Sequence, residues 1–148
     1  MRKSITSQNV NNPVGPFSQV LKVGDNIYVS GLTAVSEVNK NSFEKQANSL
    51  FDNLEALFEE MKLNINFVVK VNVFITKDVN ITHLDRVFME RFKAPYPART
   101  LAIVDELPEK DAKIQIGLDA IDLRAFQAMN DCDDYGCNEC ESEDCEYN

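Results

Sequence analysis

Between residues 43 and 62 the apolar side chains Ala47, Leu50, Phe51, Leu54, Leu57, Phe58 and Met61 recur in steps of three and four, while Glu44, Lys45, Asp52, Glu55 and Glu59 fall largely elsewhere. This spacing predicts an amphipathic helix of about five turns, one face of which must be buried. Residues 67–75 (FVVKVNVFI) follow at once and change the period from 3.6 to 2. Val69, Val71, Val73 and Ile75 take one face of this segment, and Val68, Lys70, Asn72 and Phe74 the other. So apolar and β-branched a run reads as a central strand. A one-sided helix next to a central strand restricts the chain to layered packing, with the helix lying on a sheet.

The rest of the chain fits that layout. Residues 11–16 (NNPVGP) are turn chemistry. Residues 17–22 and 26–31 read as strands of a hairpin around Gly24-Asp25, and residues 36–42 as a loop. A second helix is expected over 80–92, with Thr82 as N-cap, Asp85 three residues on, and Leu84, Val87, Phe88, Arg91 and Phe92 along its inner stripe; Pro95 and Pro97 stop it. Strands over 99–104 and 113–122, joined by the turn-like 106–111, complete the order β-β-α-β-α-β-β, with room for a short strand at the extreme N-terminus. Two helices on one face of a mixed sheet make an α+β fold. Val20, Val29 and Leu101 are expected on the other face, and with no third layer in the chain that face is expected to meet other subunits.

The excess of negative charge and the cysteines are concentrated at one end. The chain has 24 acids and 15 bases, and residues 131–148 hold eight of the acids and no base, so residues 1–130 are nearly neutral. Cys132, Cys137, Cys140 and Cys145 all lie in that same segment. The sequence therefore divides into a body, residues 1–124, and an acidic tail, residues 125–148. A cysteine-free body suggests a reducing compartment, most simply the cytoplasm. No apolar run nears the ~18 residues of a membrane span, and the N-terminus lacks the apolar stretch of a secretory signal. Nucleic acid is disfavoured as a partner, because no basic excess exists to displace counterions. The single histidine, His83, excludes a two-histidine mechanism within one subunit and reads as a surface residue.

Four local signatures occur in order: Gly15-Pro16-Phe17-Ser18-Gln19, Ser30-Gly31, Lys70-Val71-Asn72-Val73-Phe74-Ile75, and Pro97-Ala98-Arg99 ahead of a strand ending at Leu107-Pro108. In this register, from about Lys3 to Arg124, the chain resembles the Rid family of reactive intermediate deaminases, also called YjgF-like or the L-PSP endoribonuclease family. The resemblance implies a chorismate-mutase-like fold and a homotrimer whose sheets form a central barrel with three clefts between subunits. It implies hydrolysis of 2-imino or 2-aminoacrylate-type acids to 2-keto acids and ammonia, with a small 2-imino or 2-keto acid as ligand and no cofactor or metal at the site. An endoribonuclease activity is also attributed to some members; the near-neutral body and the acidic tail argue against it.

Arg99 is the first candidate. A guanidinium meets a planar carboxylate through two parallel charge-assisted hydrogen bonds, and binding the carboxylate this way draws electrons from the imine carbon. The alternative is a strand arginine paired with Asp119 or another acid. Gln115, in the run Lys113-Ile114-Gln115-Ile116, stands where the family usually has Glu; its amide can hold a water but cannot take its proton at neutral pH. Such a chain could turn over slowly, or bind small carboxylates without catalysis. Phe17 stands where Tyr is common and keeps the aromatic wall without the phenolic donor; an ordinary hairpin-core role is open as well. Ser30 and Gly31 match the family, although Ser-Gly at a strand end is also an ordinary turn. Asp85 falls where the family often has Asn, and competes with a capping role at Thr82. In the tail, Cys132-x4-Cys137-x2-Cys140-x4-Cys145 is compatible with a zinc knuckle, with two disulfides, or with a disordered acidic segment.

Overall fold

The computed structural model describes residues 1–128. Six strands and two long helices follow one another as β1 (Arg2–Ile5), β2 (Val20–Val23), β3 (Asn26–Leu32), α1 (Phe43–Glu60), β4 (Val68–Thr76), α2 (Ile81–Arg91), β5 (Ala98–Val104) and β6 (Ile114–Ile121). They form one mixed sheet in the order β1-β2-β3-β6-β4-β5. Only β4 and β5 pair in parallel, across the α2 crossover; every other neighbouring pair is antiparallel. The last strand therefore enters the middle of the sheet, between β3 and β4. The short N-terminal strand is present as β1 and lengthens the hairpin. Residues 124–128, which straddle the expected boundary between body and tail, are helical. The four tail cysteines and the three readings of them lie outside the described residues.

The helix α1 forms where the apolar stripe predicts it. Ser42 caps it, its hydroxyl accepting from the Lys45 N–H at 3.3 Å. At the other end Lys62 adopts φ 59°, and its N–H and that of Leu63 donate to the Glu59 and Phe58 carbonyls. This left-handed closure satisfies carbonyls the helix leaves free. Ala47, Leu50, Phe51, Leu54, Leu57 and Phe58 are buried against the sheet. Buried Gln46, on the same helix, joins α1 to the loop between β5 and β6: its Nε2 donates to the Asp111 carbonyl at 2.9 Å, and its Oε1 accepts from the Lys113 N–H at 2.9 Å.

The cap of α2 lies two residues earlier than expected. Asn80, not Thr82, is the N-cap, and its side chain accepts from the Thr82 N–H at 2.9 Å. Asn is as good a cap as Thr, and Ile81 then heads the helix. Phe51 of α1 packs edge-on against Phe88 and Phe92, with ring centroids 5.7 Å apart in both pairs. Arg91 spans the helices, donating to Asp52 at 2.8 Å and Glu55 at 3.2 Å.

Two expectations about sheet faces are corrected. The strand β4 does not alternate from its first residue: Val68 is 5% exposed and Val69 41%. A bulge between Val68 and Lys70 in the pairing with β6 turns Val69 outward and restores the alternation from Val71 on. Val20 and Val29 are buried in the core beneath the helices and Leu101 packs against it, so none of the three lies on the opposite face. The exposed apolar side chains there include Tyr28, Phe74 and, at the bulge, Val69. The face is uncovered, as the pattern of two one-sided helices predicts, but different residues line it.

Candidate functional site

The sheet's uncovered face ends in a cleft of about 800 Å³. Three separate stretches of chain build its wall, and each has a local reason for its position. The first is the loop before β2. Gly15 has φ 145°, where a Cβ would also lie 3.2 Å from the Phe17 ring, so only glycine fits the turn that presents Phe17. Phe17 is half exposed and lines the cleft instead of the hairpin core. Behind it, buried Gln19 fixes the loop: its Oε1 accepts from the Ser7 N–H at 2.7 Å, and its Nε2 donates to the Asn11 carbonyl at 2.9 Å.

The second stretch is the end of β3. The pairing with β6 shifts between Val29 and Leu32, so Ser30 and Gly31 together stand opposite the single residue Gly117. This bulge bends the strand and turns Ser30-Gly31 toward the cleft. Ser30 Oγ donates to the Ser18 carbonyl at 2.6 Å, and its N–H to the Gln19 carbonyl at 3.0 Å. The hydroxyl proton is thereby committed to the scaffold, leaving the oxygen as an acceptor. A Cβ on Gly31 would sit 2.4 Å from Gln115 Nε2. The glycine is what admits the Gln115 side chain.

The third stretch is β6 with the loop before it. Gln115 lies between fully buried Ile114 and Ile116, so it points away from the helices and into the cleft. Glu109, in the loop, lines the same cleft, and Thr33 Oγ1 donates to its Oε2. Burial raises the Glu109 carboxyl above its ordinary value. Sequence reading passed over Glu109 as one polar residue in a turn. No local pattern distinguishes it, because its neighbours in the cleft come from β3 and β6.

Arg99 and Asp85 do not line this cleft. Arg99 is level with Val71 in the parallel ladder, and Gln115 is level with Phe74. They are two strands and three residues apart, roughly 14 Å, and on opposite faces. Arg99 turns toward α2, where its guanidinium lies 5.0 Å from the Phe88 ring centroid and donates to Asp85 at 2.8 Å. Its acidic partner is thus Asp85. Asp119 stands opposite Tyr28 and Lys70. The capping role for Asp85 falls with the move of the cap to Asn80. The arginine keeps donors beyond the one given to Asp85, on a side chain 28% exposed.

The comparisons with known proteins agree on the relationship. The family described as endoribonuclease L-PSP matches residues 7–122. A 2-iminobutanoate/2-iminopropanoate deaminase from Dermatophagoides farinae is 32% identical over 119 residues, covering 78% of this chain and 92% of that protein. The crystal structure of RidA from an Antarctic Psychrobacter superposes with a TM-score of 0.72 at 30% identity, covering 80% of this chain and 98% of that one. Escherichia coli TdcF, solved with bound serine, gives a TM-score of 0.68 at 28% identity, with the same coverage.

Proposed function

The chain belongs to the endoribonuclease L-PSP family, also known as the Rid or YjgF-like family, and we propose that it hydrolyses small 2-imino acids to 2-keto acids and ammonia. One observation carries the reading. Phe17, the Ser30-Gly31 bulge and Gln115 come from distant parts of the chain and surround one cleft. Its size suits a short acid with a hydrating water, its wall is aromatic on one side, and Gln115 offers an amide to orient that water. The similarity to a deaminase of such acids, and to a protein that holds serine, points to the same class of ligand.

Arg99 enters the reading through assembly. The uncovered face carries Tyr28 and Phe74, and three copies joined through such faces around a central barrel would bring the β5 edge of one subunit to the cleft of the next. Arg99, held by Asp85, then supplies the carboxylate clamp that a single chain lacks. The Asp85 carboxylate lowers the net positive charge there, so the clamp works through the directed donors of the guanidinium more than through bulk charge. On this reading the protein acts in the cytoplasm. No helix among the described residues is long and apolar enough to cross a membrane.

The test is release of ammonia and keto acid from freshly generated 2-aminoacrylate, together with the mass of the assembly by light scattering. Arg99→Ala is expected to lower kcat/KM by about 10- to 100-fold, the value of one charged hydrogen-bonded contact. A wild-type rate equal to the uncatalysed one would leave the second reading, a non-catalytic binder of small carboxylates. That reading is favoured by the inability of the Gln115 amide to take a proton. Calorimetry with 2-ketobutyrate would then give Arg99-dependent heat without turnover.

A further inference from the structure

Imine hydrolysis moves protons twice, and Gln115 can move none at neutral pH. Among the described residues, Glu109 is the one titratable side chain in the wall of the cleft. It stands on a loop that is anchored. Two residues on, the Asp111 carbonyl and then the Lys113 N–H are both held by buried Gln46 from α1. Thr33, at the end of β3, fixes the side chain by donating to Oε2. Among the described residues, Oε1 has no hydrogen-bond donor directed to it, so one carboxylate oxygen is held and the other is left for a water in the cleft.

Resting on the deaminase reading of this cleft, we propose that Glu109 is its proton-transferring catalytic residue, with Gln115 orienting the attacking water. The Glu109 carboxylate takes a proton from that water as the water oxygen bonds to the imine carbon and the C=N electron pair moves to nitrogen. The same proton passes from Glu109 to that nitrogen, giving a carbinolamine. Glu109 then takes the carbinolamine hydroxyl proton as the C–O bond becomes C=O and the C–N bond breaks. The departing nitrogen receives the proton and leaves as ammonia, and the carboxylate is regenerated. Water is the only co-reactant. Burial, by raising the proton affinity of Glu109, brings it nearer the range in which one group can both accept and return a proton at neutral pH.

The experiment compares wild type, Glu109→Gln, Arg99→Ala and the double variant Glu109→Gln/Gln115→Glu by steady-state kinetics across pH, with calorimetric binding of 2-ketobutyrate. Glu109→Gln is expected to lower kcat by about 100-fold, the usual worth of a positioned acid–base group. It should leave 2-ketobutyrate affinity unchanged and abolish the acidic limb of the kcat/KM profile, where wild-type activity rises with pH as the carboxyl ionises. Arg99→Ala should weaken binding and keep that limb. The double variant should recover much of the lost kcat, because Gln115→Glu returns a carboxylate to the same cleft. A Glu109→Gln enzyme with wild-type kcat and an intact limb overturns the proposal and leaves the deaminase reading standing. Wild type at the uncatalysed rate overturns both. Should Glu109→Gln lose its fold by circular dichroism, Glu109→Asp carries the test: a lower kcat with the limb retained supports the assignment, and wild-type kcat overturns it.

Discussion

At Gly31 the scaffold and the site compete for the same space. A methyl group there would meet the end of the Gln115 side chain at 2.4 Å. The obstacle is a flexible amide, not backbone, so the fold can yield. Gly31→Ala is expected to swing Gln115 out of the cleft and lower kcat/KM by about 10-fold or more, since small displacements in a site cost heavily. The thermal midpoint should move little, the signature of a surface substitution. A large fall in the midpoint with unaltered kcat/KM would mean that the backbone had moved instead. Sequence reading singled out Phe17, Ser30, Gly31 and Gln115, which the structure gathers around one cleft. It singled out Arg99 and Asp85 as well, and these face elsewhere in the same chain. Motifs carry residue identity, but which side of a sheet a residue faces depends on bulges and strand order. Glu109 was illegible for a related reason: its side chain is fixed by Thr33, which stands far from it in the chain.

Elements were legible where one period ran uninterrupted. The alternation of β6 maps onto burial residue by residue, and so does the stripe of α1 from Ala47 to Phe58, with Met61 only partly buried and polar Gln46 buried beside it. What escaped were the departures from period, the bulges at Ser30-Gly31 and at Val69. A bulge shifts faces without any residue type that announces it. Capping escaped by two residues, because Asn80 and Thr82 are both competent caps. The closure of α1 allows a direct check. Lys62 holds φ 59°, a conformation that costs a non-glycine residue about 1 kcal/mol. Lys62→Gly should therefore stabilise the protein by about 0.5–1 kcal/mol in urea denaturation, with unchanged slope, through relief of strain in a turn already hydrogen-bonded by Leu63. A destabilisation would mean that the flexibility gained by the unfolded chain outweighs the strain removed.

Across the whole molecule, two carboxylates tie the sheet's ends to distant parts of the chain. Asp122, just past β6, accepts from Arg124 and from Lys22 of β2. The Arg124 hydrogen bond is the chief reason its carboxyl lies well below the usual range. Asp78, after β4, is paired with Lys113 and Thr76, which hold its carboxyl at about 2. Both groups ionise more readily folded than unfolded. Their stabilisation is complete above the unfolded value of about 4 and is lost as pH falls from there, through about 2 for Asp78 and lower still for Asp122. Thermal midpoints measured from pH 5 to pH 2 should fall across that window, and Asp122→Asn should shrink the fall. An unchanged fall would assign the acid sensitivity to other carboxylates.

The sheet order has a consequence for synthesis. The strand β6 is made last, yet it joins β3 to β4. A ribosome adding about 5–20 residues per second completes β3 and must then make roughly 90 more residues before their shared partner exists, a wait of several seconds. Throughout it the N-terminal hairpin presents an unpaired inner edge, and the β4–α2–β5 unit adds a second once Val104 has been made, both open to strands of neighbouring nascent chains. The fold of this protein is thus decided late in translation, and a pause or truncation between Val104 and Ile114 leaves two half-sheets with nothing to unite them.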